Sequence, residues 1–366
     1  MPDKEKYRVL VTARFERKAF DPVVNRIAGT SFLGFGVTSR TLTEDALIDA
    51  LDGVDILISE FEPVTQRVVS VSRDLKLIAC CRTGPEASVD IGAATHRGIP
   101  VLYTPGRNAV SVAEFTFGMM INVSRHCAEV HHLLKYTEEL TRVAYSDKPG
   151  DRREITSEWS LDPEAPFNQF QGPELSGKTL GIVGFGAIGR ELALRARAFS
   201  MEVLTYDPYV SEVSANEAGV RTAGLTEIAS EADFIVMAAK VTEETRGLFS
   251  KDMFDRMKPS AYLINSARAA LVDYDALLHT LTEERIAGAA LDVFPEEPIP
   301  SDSPFRRLKN VVLTPHLAGA SIDIPRHHSR MVVEALAEVF AGRRPAILKN
   351  PEVWSRTLFA ARAKPE

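Results

Sequence analysis

The sequence is short of several features, and each shortage excludes a class of protein. Cysteine occurs only 3 times in 366 residues, too few for a disulfide scaffold. Cys80 beside Cys81 is also badly placed for an unstrained bridge, so a reducing compartment is expected. No window supplies the roughly 20 apolar residues of a membrane helix, and the most apolar helical stretch is interrupted by Glu114, Arg125 and His126. No membrane partner is expected. The short apolar run in MPDKEKYRVLVT is soon closed by Arg14 and Glu16. It lacks the hydrophobic region of a signal peptide, and the expectation is a cytoplasmic protein. There is no basic excess: 43 Lys and Arg against 50 Asp and Glu give a net charge of −7, which argues against nucleic acid as a partner. Low-complexity runs are missing. His131 with His132 and His327 with His328 are adjacent pairs that point to different helix faces, so no metal site is expected.

What is present reads as a two-domain α/β protein. At roughly 100 to 200 residues per domain, 366 residues suggest two, and 45% hydrophobic with 25% charged residues is a soluble globular composition. Short aliphatic runs at 8–12, 55–58, 75–80 and 101–103 alternate with helix-compatible stretches, the pattern of a parallel sheet with crossover helices. A second series at 179–183, 202–206, 233–237, 261–264, 286–291 and 311–314 supplies six strands, enough for a complete doubly wound sheet. Between them, Ala109 to Tyr136 reads as one long helix or two with a bend. Residues 146–173, without a period but carrying Trp159, Phe167 and Phe170, read as an ordered loop, a lid or a subunit contact. Residues 322–341 read as a closing helix, and the tail from about Leu358 is expected to fray.

The strongest local signal is Gly184-Phe185-Gly186-Ala187-Ile188-Gly189, which directly follows the strand TLGIV and opens a helix. Each glycine has its own task. Gly184 permits the tight strand-to-helix turn, Gly186 lets a pyrophosphate approach the backbone, and Gly189 lets helix and strand pack closely. The open amides and positive end of the helix dipole then hold the anion. Asp207, ending the next strand, suits the two hydroxyls of an adenosine ribose and repels a 2′-phosphate, which favours NAD over NADP. Gly34-Phe35-Gly36 lacks both the third glycine and a good preceding strand, and reads as a turn. Three ionisable residues stand just beyond strands of the second series: Arg268, Asp292 and His316, with Glu297 in the loop VFPEEP. Singly each has an ordinary structural explanation. Together they fall where the ligand crevice of an open α/β sheet lies.

With these motifs in hand, the chain resembles the D-isomer-specific 2-hydroxyacid dehydrogenase family, which includes phosphoglycerate dehydrogenase, D-lactate dehydrogenase and hydroxypyruvate reductase. The matching stretches are RTGPEASVDIGAATHRGIPV, TPGRNAVSVAEFTFG, LSGKTLGIVGFGAIGR, LINSARAALVD, GAALDVFPEEP and LTPHLAG, in the family's order over nearly the whole chain. The resemblance implies an α/β fold of two doubly wound parallel-sheet domains. A Rossmann NAD domain at 107–321 would be inserted into a flavodoxin-like substrate domain made of 1–106 and 322–366. It further implies an NAD-dependent oxidoreductase that moves a hydride between nicotinamide and C2 of a D-2-hydroxy acid or 2-keto acid. Arg268 would capture the substrate carboxylate with its planar fork and polarise the carbonyl. His316 would be the acid/base, and Glu297 would fix its tautomer and favour its protonated form. Asp292 would face the nicotinamide side. Ala187, Ile188, Ala239 and Ser266 fall where the family contacts NAD, while Thr83, Gly84 and Asn108 fall where it contacts substrate.

Arg82 and Arg107, near the cleft in the resemblance, are candidates for a second substrate anion, with a structural arginine as the competing explanation. The departures are Ala238-Ala239-Lys240 for a His-x-Pro step, Ala269-Ala270 for a Gly pair and Ser88 for Asn. Glu297 argues against the formate dehydrogenase branch. The long helix after TPGRN implies a homodimer, and the length is expected to leave no room for a further regulatory domain. An NAD(H)-sensing binding module of the corepressor type, with little turnover, is the alternative. That branch keeps the same three catalytic residues.

Overall fold

In a computed structural model of the chain, the described residues are 6–32, 41–138, 140 and 166–360. The turn at Gly34–Gly36, Trp159 with most of the 146–173 segment, and the end of the tail lie outside them. The chain divides into two compact units, Met1–Asn108 with Ser321–Glu366, and Ala109–Ala320.

The first unit holds five parallel strands, β1 (Tyr7–Val11), β2 (Ile27–Phe32), β3 (Ile56–Ser59), β4 (Leu77–Cys80) and β5 (Val101–Tyr103), in the order β2-β1-β3-β4-β5. This is the flavodoxin-like order, with its switch point between β1 and β3. The strands β3 and β4 are wholly buried aliphatic runs, as central parallel strands covered on both faces must be. The strand β2, IAGTSF, was not anticipated. It is a part-exposed edge strand whose Gly, Thr and Ser give no hydrophobic period.

The returning segment completes this unit. The helix Ile324–Phe340 buries Val332, Leu336 and Val339 against Val9, Val11 and Leu77, and Phe340 stacks on Tyr7 with ring centroids 5.2 Å apart. Beyond it Asn350, 1% exposed, accepts from the Val101 amide at 2.8 Å and donates to the Ile99 carbonyl at 2.9 Å and Thr95 Oγ1 at 3.1 Å. A residue from near the end of the chain thereby satisfies the edge of β5.

The second unit has seven parallel strands, β6 (Thr179–Val183), β7 (Glu202–Tyr206), β8 (Arg221–Thr222), β9 (Phe234–Met237), β10 (Tyr262–Asn265), β11 (Gly288–Leu291) and β12 (Val311–Leu313). Their order, β12-β11-β10-β9-β6-β7-β8, reverses at β6/β9, the dinucleotide-binding arrangement. The extra strand β8 has two residues, too short to register as a run. Its helical entry is two helices, Ala109–Ser124 and Cys127–Tyr136, broken where His126 adopts φ 53° and Asn122 Oδ1 accepts the Ala128 amide at 2.8 Å.

Asn350→Ala would strand the Val101 amide and the Ile99 carbonyl, each worth about 1 to 3 kcal/mol when left unpaired. A loss of roughly 2 to 4 kcal/mol in urea unfolding is expected. A change within experimental error would contradict this role for the returning segment.

Candidate active site

The nucleotide half of the site is built by three glycines with three different surroundings. Gly184 sits at φ 103°, where a Cβ would meet the Ala239 amide nitrogen at 2.5 Å, so only glycine allows β6 to turn this close to the end of β9. At Gly189 a Cβ would meet the Gly184 carbonyl oxygen at 2.5 Å, which is the close packing of helix on strand. Around Gly186 there is nothing within 4 Å: the glycine faces open space that a side chain would fill. Gly186 caps the helix Ala187–Ala198, whose first turn has no side-chain cap and no acidic residue. Its leading amides are therefore free for an anion, and the dipole favours one.

Asp207, just past β7, accepts the Phe185 amide on Oδ2 at 2.8 Å and the Tyr209 amide on Oδ1 at 2.9 Å. These bonds orient the carboxylate beside the glycine loop and leave lone pairs for ribose hydroxyls. The residues present therefore fit a dinucleotide without a 2′-phosphate. Ala187 is exposed and Ile188 part-buried at the helix start, while Ala239 stands beside Gly184. Ser266 is 7% exposed and its hydroxyl is 2.7 Å from that of Thr116, so its side chain is already occupied within the unit.

The proton-transfer half stands on the carboxyl ends of β10, β11 and β12. His316 Nδ1 lies 2.7 Å from Glu297 Oε2, both residues being exposed. Glu297 Oε1 accepts the Phe294 amide at 3.0 Å. Burial pushes the Glu297 carboxyl up, but its hydrogen bonds to His316 and the Phe294 amide, with the charges of His316 and Arg268, win and hold it below the usual carboxylate range. It is an anion at neutral pH. Against a carboxylate Nδ1 carries the hydrogen, which leaves Nε2 as the working nitrogen.

Asp292 organises this arrangement from beneath. It is fully buried, and its carboxylate accepts Thr314 Oγ1 at 2.6 Å and the amides of Leu317 and Ala318 at 2.8 Å each. Its carbonyl accepts the His316 amide at 2.9 Å. These bonds hold His316 at φ 57°, a conformation that ordinary residues take at a cost. Arg268 is exposed, and its own turn is held by the fully buried Asn265, whose amide donates to the Arg268 carbonyl at 3.0 Å. Tyr274 donates its hydroxyl to the Val293 carbonyl, supporting the loop that ends in Glu297. Asn265, Tyr274 and Thr314 escaped sequence reasoning because supporting hydrogen bonds, the first two to backbone and the third to the Asp292 carboxylate, leave no residue pattern. Asn265 and Thr314 lay inside quoted motifs, and Tyr274 directly follows one.

In the first unit, Thr83 and Gly84 are exposed after β4, and Asn108 is part-exposed after β5. Thr83 Oγ1 donates to the Thr104 carbonyl at 3.3 Å, and the Thr104 amide to the Arg82 carbonyl at 3.0 Å, so the two loops are joined. Arg107 is not a free cation: Nη1 lies 2.5 Å from Glu60 Oε1. The Arg82 guanidinium lies 5.1 Å over the Phe61 ring. Among the described residues no group of three His, Cys, Asp or Glu side chains is placed to hold a metal ion, and no helix is long and apolar enough to cross a membrane.

Residues 117–318 match the family described as D-isomer specific 2-hydroxyacid dehydrogenase, NAD binding domain. The chain is 36% identical over 332 residues to the Bacillus subtilis protein YoaD, named for 2-hydroxyacid dehydrogenase activity, covering 90% of this chain and 89% of that one. It is 32% identical to a hydroxypyruvate reductase of Thermotoga maritima, covering 92% and 98% respectively. Among solved structures, the TT0316 protein of Thermus thermophilus superposes with a TM-score of 0.69 at 30% identity, over 93% of this chain and 99% of that one.

Filling the open space at Gly186 should block the cradle without harming the fold. Gly186→Val is expected to weaken NADH binding by at least about 10-fold, with a melting temperature within about 2 °C of the parent. Unchanged NADH titration would remove the cradle from this loop.

Proposed function

We propose residue roles for a chain that belongs to the D-isomer-specific 2-hydroxyacid dehydrogenases and is thereby an NAD-dependent oxidoreductase of 2-hydroxy and 2-keto acids. The observation that carries the assignment is the His316–Glu297 pair, 2.7 Å apart, on the same carboxyl edge as the Gly184–Gly189 cradle. Bound NAD supplies the hydride donor or acceptor at nicotinamide C4. Gly184, Gly186, Ala187, Ile188 and Gly189 would hold its pyrophosphate, Asp207 its adenosine ribose, and Ala239 and Ser266 would line its path. Asp292 would serve the nicotinamide side through the backbone of residues 314–318 that it fixes.

Arg268 takes the substrate carboxylate and draws charge from the adjacent carbonyl. In reduction His316 Nε2 donates its proton to the oxygen on C2, and Glu297 stabilises the imidazolium that makes this donation possible. In oxidation the same nitrogen, neutral, takes the hydroxyl proton. Thr83 and Gly84, through backbone, and Asn108, through its amide, are the substrate-contact residues proposed for the first unit. The fit of a hydroxypyruvate reductase over nearly its whole length supports a small 2-keto acid as the substrate class.

The exposed apolar side chains of Ile121, Leu134 and Tyr136 on the two helices after Asn108 support a homodimer. Three unpaired cysteines support the cytoplasm as its compartment. Light scattering is expected to give twice the 40.3 kDa chain mass; a monomer mass would contradict the dimer.

His316→Ala is expected to lower kcat by roughly 10²- to 10⁴-fold while NADH affinity changes by less than about 3-fold. The assay is NADH oxidation with glyoxylate, hydroxypyruvate, pyruvate and 3-phosphohydroxypyruvate. Clear NADH binding by the parent protein with no turnover on any acid would favour a sensing module.

A further inference from the structure

Apart from the glycine cradle and the His316–Glu297 pair, the first unit buries a second set of charged groups on the carboxyl side of its own sheet. Glu60 follows β3 and is fully buried. Its Oε1 lies 2.5 Å from Arg107 Nη1 and 3.5 Å from Arg14 Nη2, while Oε2 is buried without a hydrogen-bond partner. The same Arg107 Nη1 is 3.1 Å from Nδ1 of His328, a fully buried histidine on the returning helix. On its other side, His328 Nε2 meets the Arg14 carbonyl.

A carbonyl can only accept, so Nε2 carries the hydrogen and Nδ1 offers its lone pair to Arg107. The ring is neutral. Phe15 lies against it with centroids 6.2 Å apart, and the Glu16 amide donates to Ser329 Oγ at 2.9 Å beside it. Four separated segments, after β1, β3 and β5 and on the returning helix, meet in one cluster, in which Glu60 and His328 both contact the Arg107 guanidinium and Arg14 contacts Glu60 and His328.

A buried ion cluster is a poor way to gain stability, because apolar side chains of the same volume do as well or better. Its charged hydrogen bonds are directional, however, and Arg107 is the residue before Asn108. The other substrate-facing loop is already joined to this one through Thr104. We infer that Glu60, Arg107 and His328 are positioning residues, a clamp that holds the Arg107–Asn108 backbone so that Asn108 and the Thr83–Gly84 loop present one fixed surface to the substrate. The clamp also removes Arg107 from anion binding. The inference rests on the substrate reading of Thr83, Gly84 and Asn108 given above.

The clamp has a pH signature. The charged groups facing His328 are Glu60, Arg107 and Arg14, each from a different segment. Burial, helped by the two arginines and opposed by the Arg14 carbonyl bond and Glu60, holds His328 below the usual histidine range. Protonation on the acid side would cost Arg107 one of its two acceptors and add a third cation against a single carboxylate. Substrate KM should therefore rise as the pH falls below the ordinary histidine range.

The test is steady-state reduction of hydroxypyruvate by NADH at several pH values, with NADH binding followed by fluorescence. Glu60→Gln is expected to raise KM roughly 10-fold, with kcat and NADH affinity within about 3-fold of the parent. His328→Asn keeps an acceptor near the Nδ1 position but cannot titrate, so it should match the parent KM at neutral pH and lose the acid-side rise. A Glu60→Gln KM within about 2-fold of the parent, or an acid-side rise that persists in His328→Asn, overturns the clamp. Should Glu60→Gln fail to fold, the parent and His328→Asn profiles decide alone. Asn108→Ala separates the premise from the inference: no change in KM defeats the substrate reading of Asn108, whereas a raised KM there with a silent Glu60→Gln defeats the clamp.

Discussion

The carboxylate of Asp292, fully buried beneath the segment 314–318, accepts one hydroxyl and two amides of that segment, and its carbonyl accepts the amide of His316. An ionised carboxylate out of water is expensive unless its lone pairs are filled, and here three donors fill them. The geometry that results is specific. It holds a non-glycine residue at positive φ, which the chain would otherwise abandon, and this turn delivers the imidazole to Glu297. The proton-transfer pair is thus a consequence of where β11 ends and what its next residue is.

The nucleotide side depends on the opposite property, the lack of side-chain atoms. Gly184 and Gly189 are forced by contacts at 2.5 Å, whereas Gly186 is surrounded by open space. The first two serve the fold, and the third leaves the space in which the proposed ligand would sit. The bare first turn of the helix Ala187–Ala198 completes the same design, since a capping side chain or an acid there would compete with the phosphates. In the proposed roles, a protein of net charge −7 would receive two anionic ligands by concentrating positive potential at that helix start and at Arg268.

Much of this was legible in the sequence because the relevant signals are local. Wholly buried parallel strands such as ILIS and FIVM are continuous aliphatic runs, and a glycine fingerprint between a strand and a helix fixes its own context. The edge strand β2 and the two-residue β8 were missed because partial exposure and brevity erase the hydrophobic period. The break at His126 was left open between one helix and two, since it rests on a single residue's φ and a side-chain bond from Asn122. Asp292 was visible as a strand-end acid, but its hydrogen bonds to the segment that carries His316 are a matter of three dimensions. Glu60 and His328 were invisible for the same reason: their meeting at Arg107 joins residues over 200 positions apart.

Direct hydride transfer tests the central claim most sharply. NADH deuterated at both C4 positions is supplied with a 2-keto acid that the protein turns over, and the product is analysed for label and configuration. The account predicts one deuterium on C2 of the D-2-hydroxy acid. Loss of the label to solvent, or its appearance in the L isomer, would contradict it.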